Sequence, residues 1–166
     1  MKVLALDAST KSTGVALYNG TELIDYKCIT ASSQDVIKRI TKIIRELYEF
    51  LVQHQGVDKV ILEEVRPENG VQNVQTHRVL MWLQGAIAFM LHEHFPNAKI
   101  EYVYPSAWRS ACGIKNGRGV YREQQKAGDI KFVEDTYGIT VNDDIADAIG
   151  IGHAYVHNLD NEINWE

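Results

Sequence analysis

Residues 2–8, Lys-Val-Leu-Ala-Leu-Asp-Ala, constrain the fold more than any other stretch. Four consecutive apolar residues without helical spacing read as a strand buried on both faces, which requires a sheet covered on two sides. The same run ends on a carboxylate, Asp7, where an ionised group is costly unless something compensates it. Taken singly, Asp7 also reads as a turn or cap residue.

The elements that follow suit such a sheet. Ser12 to Gly20 and Thr21 to Thr30 read as two further strands, with Asn19-Gly20 as the hairpin turn. Ser32 and Asp35 suggest a capping box for a helix of about six turns, whose apolar positions from Val36 to Leu51 recur at helical spacing. Residues 58–65 (DKVILEEV) form a fourth strand closed by Pro67, and 99–105 (KIEYVYP) a fifth. Between them a helix over 73–94 is apolar nearly all round. Its excess apolar face needs a cover, either a second copy of the chain or other helices of the same chain. A short helix at 105–113, a polar loop, a helix over 119–137 and a last helix beginning at Asn142 or Asp143 complete the chain. The order predicts an α/β domain with one five-stranded mixed sheet and helices on both faces. It occupies residues 1–158, followed by a tail at 159–166.

The 166 residues suit one domain. There is no signal-peptide pattern and no apolar run of membrane-spanning length, so no membrane partner and a cytoplasmic location are expected. Cys28 and Cys112 are far apart and in no metal-binding spacing, as expected of free thiols in a reducing compartment. Net charge is −5, unevenly spread. Residues 105–131 carry a local excess of four positive charges, and residues 132–166 hold eight carboxylates and no Lys or Arg. A charge run alone reads as a solvated helix face. Beside an acidic cluster it also suits a phosphate-binding rim.

The carboxylates suggest chemistry. Glu63 and Glu64 end the fourth strand and point to opposite faces. Asp144 and Asp147 are three apart, on one face of the last helix. If the first and fourth strands are neighbours and the last helix crosses them, Asp7, Glu63, Asp144 and Asp147 meet. Crowded carboxylates resist ionisation until cations relieve them. Mg²⁺ prefers such oxygen ligands, and an ion pair about 3.5–4 Å apart is a known device for hydrolysing phosphodiesters. His153 and His157 read as surface or capping groups, and Cys112 as a core residue. No Ser-His-Asp arrangement competes.

Three stretches together, DASTKSTG (7–14), ILEEV (61–65) and DxxDAIGIGH (144–153), resemble the RuvC family of Holliday-junction resolvases, and the LxxLQGAI run at 80–87 agrees. The compact length is similar to the phage or prophage branch. The resemblance implies a ribonuclease-H-like fold and a homodimer, formed through the helix at 73–94, that cuts four-way junctions symmetrically in recombination, repair or phage DNA processing. It implies two Mg²⁺ ions per site, replaceable by Mn²⁺, with Asp7 bridging them and Glu63, Asp144 and Asp147 completing the ligands. The products would be 5′-phosphate and 3′-hydroxyl ends. The location implied is the cytoplasm of a bacterium or of a phage-infected host. Many relatives carry an aromatic residue three positions after the catalytic glutamate, where this chain has Arg66. A guanidinium stacks or pairs with phosphate but does not wedge, so forks and flaps become plausible substrates. Lys11, Arg66, Arg109, Lys115, Arg118, Arg122 and Lys126 are the expected DNA contacts. The alternatives are a ribonuclease H acting on RNA–DNA hybrids and a catalytically silent branched-DNA binder. An actin-like ATPase is disfavoured by the short chain and the lack of a glycine beside Asp7.

Overall fold

The computed structural model describes residues 1–65 and 71–158, without the side chains of 71–73. At its centre lies β1 (Lys2–Asp7), in which Val3, Leu4, Ala5 and Leu6 have no solvent exposure. This strand pairs antiparallel with β2 (Ser12–Asn19) and parallel with β4 (Lys59–Glu63). β3 (Glu22–Thr30) and β5 (Lys99–Val103) are the edges of a five-stranded mixed sheet ordered β3-β2-β1-β4-β5. The β2–β3 turn runs through Gly20, whose φ of 61° lies in the left-handed region that glycine tolerates.

Alternate residues of the central strands serve two cores. On one face Leu4, Leu6, Val60 and Leu62 pack against α1 (Val36–Gln53) and α2 (Val71–His94). Burial of a side chain such as Leu47 contributes about 1.5–3 kcal/mol. The expected Ser32–Asp35 capping box is not the cap that forms. Asp35 itself is the N-cap and accepts from the amides of Ile37 (2.8 Å) and Lys38 (3.3 Å). The helix is accordingly 18 residues, shorter than the six turns expected. α2 buries Leu83, Ile87, Met90 and Leu91 but leaves Val74, Met81, Trp82 and Phe89 exposed, so among the described residues one flank stays uncovered.

On the other face Val3, Ala5, Ile61 and Val103 pack against α3 (Pro105–Ala111), α4 (Arg122–Tyr137) and α5 (Asp143–His157). α4 begins three residues later than its expected start at 119. Asn142, not Asp143, caps α5, accepting from the Ile145 amide at 2.9 Å. α5 lies unusually close to the sheet because glycines face it. A Cβ at Gly14 would fall 1.8 Å from the Asp144 carbonyl oxygen, and one at Gly152 would fall 2.3 Å from the Tyr18 ring. The start of α5 is therefore pressed onto β2 beside the end of β1. Among the described residues, no helix is long and apolar enough to cross a membrane. The expected tail at 159–166 and the strand-closing Pro67 lie outside the described residues.

Candidate active site

Asp7 and Glu63 close the two central parallel strands, each one residue beyond the Leu6–Leu62 pair. Odd-numbered positions of both strands face α5, so the two carboxylates point to the same side. Gly14 pairs with Asp7 across β1–β2 and lets Asp144 approach from above. One helical turn later Asp147 reaches the same region. The four acidic residues thus come to one end of the sheet, and Asp7 senses both Glu63 and Asp144 electrostatically.

Their environment disfavours charge. Burial, then Glu63 and Asp144, push the Asp7 carboxyl up to about 8. Burial, then Asp7 and Asp129, push Asp147 up to about 9, against the opposing pull of Arg109. Glu63 is raised as well, chiefly by burial, although the Trp108 indole N–H donates to its Oε2 at 2.7 Å. Asp144 accepts from the Ser12 hydroxyl. Asp143 instead pairs with Lys126, which holds its carboxyl below the usual range. Of the two adjacent aspartates, Asp144 is therefore the one that faces the cluster.

Among the described residues, no three His, Cys, Asp or Glu side chains are gathered tightly enough to grip an ion as placed. Ser12, Trp108 and Arg109 each hold one of the four carboxylates. The donor set nevertheless suits hard cations: carboxylate oxygens only, partly buried and mutually repelling. Asp147 Oδ1 is buried with no N–H or hydroxyl donor to it, while the Asp147 carboxyl hydrogen-bonds with that of Asp129.

The basic residues divide. Lys11, Lys115, Arg118 and Arg122 are exposed, as the sequence suggested. Lys126 is half-buried and bound to Asp143, which ties the first turns of α4 to the start of α5. The first turns of α4 consequently border the acidic cluster. Arg109 departs from expectation. It is 9% exposed, with Nε and Nη2 on Asp129 at 2.8–3.1 Å and Nη2 also 3.3 Å from Asp147 Oδ2. It is an internal ion-pair residue and presents no free guanidinium to DNA. Arg66 lies outside the described residues.

Sequence reasoning missed Ser12, Trp108 and Asp129. Ser12 stood within the DASTKSTG stretch and could have been suspected. Asp129 carried no local signal, being one acid in a basic segment. Its role depends on Arg109, twenty positions away.

No family model matches this sequence, and no curated protein is significantly similar to it. Solved structures are similar in fold. Thermus thermophilus RuvC in complex with a Holliday-junction substrate superposes with a TM-score of 0.74 at 15% identity, over 98% of this chain and 97% of that one. The fowlpox virus resolvase in complex with Holliday-junction DNA gives 0.56 at 18% identity, over 96% and 99%. The yeast mitochondrial Holliday-junction resolvase gives 0.60 at 14% identity, over 98% and 81%. The chain therefore has the fold of RuvC and of the viral and mitochondrial resolvases.

Proposed function

We propose that this chain is a metal-dependent endonuclease that cuts branched DNA, chiefly four-way junctions, as a homodimer, leaving 5′-phosphate and 3′-hydroxyl ends. The observation that carries this reading is the meeting of Asp7, Glu63, Asp144 and Asp147 at one end of the sheet, with Asp7 and Asp147 held near pH 8 and 9 by burial and mutual repulsion. Such crowding is unfavourable in isolation and becomes favourable when cations are bound. The likeness of fold to junction resolvases supports the choice of substrate.

Those four side chains would hold Mg²⁺ or Mn²⁺. When bound, the ions supply a water of lowered pKa and charge neutralisation at the leaving oxygen. The chain's own residues supply position. Asp7 stands centrally, at the end of the middle strand of the sheet. Ser12 and Trp108 fix the rotamers of Asp144 and Glu63 by donating to them. Lys115, Arg118 and Arg122 project from the loop before α4 and from the start of that helix, where they would bind phosphates without reading sequence. Exposed Trp82 and Phe89 on α2 are the surface through which two copies would join.

The test is a cleavage assay with and without Mg²⁺ on four-way junctions, forks, linear duplex and RNA–DNA hybrid. Junctions are expected to be cut fastest, and only with the metal. Asp7→Asn and Glu63→Gln should abolish cutting yet leave junction binding largely intact. Cutting by either variant near the unmodified rate, or a preference for the hybrid, would refute the assignment.

A further inference from the structure

Two consecutive residues of α3 each hold a carboxylate of the acidic cluster. Trp108 is fully buried, its ring lies under Gly150 of α5, and its indole N–H holds Glu63. Arg109 stacks on the same ring, its guanidinium carbon 4.2 Å from the centroid, and turns its fork the other way. One edge of that fork is satisfied by Asp129, which is fully buried on α4 and bonded through both oxygens. The remaining reach of Nη2 falls on Asp147 Oδ2 at 3.3 Å. Asp147 is thereby held by Arg109 on Oδ2, and its carboxyl also hydrogen-bonds with that of Asp129. No N–H or hydroxyl donor reaches its other oxygen, Oδ1, which is buried.

This division of one carboxylate is informative. A guanidinium that served only to neutralise Asp147 would engage it through both oxygens, as it does Asp129. Here the bidentate partner is Asp129, which anchors the arginine. The single contact to Asp147 fixes that side chain's rotation and leaves Oδ1 without an N–H or hydroxyl donor. We propose that Arg109, anchored by Asp129 and stacked on Trp108, is a positioning residue that presents Asp147 Oδ1 to a divalent cation. Asp129 is then a member of the site that never touches the ion. The inference rests on the metal-site reading above, and it assigns to α3 and α4 a role in cation affinity beside the phosphate contacts proposed for the segment between them.

Binding of Mn²⁺ to the full-length chain, followed by the paramagnetic resonance of the free aquo ion, tests this without reference to cleavage. Arg109→Gln combined with Asp129→Asn keeps a hydrogen-bonded pair and avoids a lone buried charge. Arg109→Lys keeps the charge and the Asp129 contact but loses the fork, and it serves if the double variant does not fold. Outer-sphere partners of this kind change metal affinity about 10–100-fold. A loss of that size, with the metal-free melting temperature little changed in at least one variant, is the expected result. Affinity equal to or tighter than the unmodified chain's in a folded variant overturns the positioning role. Asp7→Asn separates the two readings. If it abolishes Mn²⁺ binding while the Arg109 variants bind normally, only the positioning role falls. If the unmodified chain binds no Mn²⁺, or Asp7→Asn binds equally well, the metal site fails and the positioning role with it.

Discussion

Asp7 near 8 and Asp147 near 9 both lie above their unfolded value of 3.8, so the folded chain holds protons that the unfolded chain has released. Stability from these groups is full below about pH 4 and is lost as pH rises through the folded values. Asp143 has the opposite sign: its depressed value stabilises the fold at neutral pH and that contribution disappears in acid. Melting in a chelator should therefore decline between about pH 4 and about pH 9, and Asp7→Asn should make the decline shallower and melt higher at the alkaline end. Added Mg²⁺ should restore more stability at alkaline pH to the unmodified chain than to that variant. A flat profile for the unmodified chain would mean that the carboxylates are solvated and ionised, contrary to their burial.

At the scale of elements, the site depends on how closely α5 approaches the sheet. Gly14→Ala would place a methyl against the Asp144 backbone, which cannot yield as a side-chain tip can. Overpacking of this kind costs about 1–3 kcal/mol or more, and relief requires α5 to lift and carry Asp144 away from Asp7. The expected outcome is a lower melting temperature with cleavage reduced far beyond the stability loss. In the basic segment, Arg118→Ala and Arg122→Ala should each lower the slope of log affinity against log salt by about one. An unchanged slope would remove that segment from the interface. The strands and helices were legible because each carries one clear period: continuous apolar runs for β1 and β4, helical recurrence for α1. The convergence of Asp7, Glu63, Asp144 and Asp147 could also be anticipated, since it needs only neighbouring strands and a crossing helix. The fate of Arg109 could not. Charge in a sequence says nothing about burial, and whether an arginine faces phosphate or an internal aspartate depends on a partner brought near only by folding.

At the scale of the whole molecule, the acidic total and the two-fold character of the proposed four-way-junction substrate bear on the same surface. Val74, Met81, Trp82 and Phe89 recur at helical spacing along the outer side of α2, with Phe89 69% exposed and Trp82 47% exposed. Gly85 lies between them and admits close approach of a second helix. Aromatic side chains grouped in this way are the usual anchors of an interface. Two copies joined there would carry two acidic clusters and two sets of basic residues. Replacing Trp82 and Phe89 together by glutamate should leave the protomer folded, because neither side chain belongs to the core, and lower its melting temperature only by what dimerisation adds. In sedimentation the unmodified chain should run as a dimer and the double variant as a monomer. On a supercoiled plasmid with an extruded cruciform, paired cuts within one binding event linearise the circle, whereas a lone protomer leaves only a nick. The variant should therefore accumulate nicked circles where the unmodified chain yields linear DNA. A double variant that still sediments as a dimer would place the interface elsewhere. One that sediments as a monomer yet linearises the plasmid would mean that symmetric cutting does not depend on two protomers bound together.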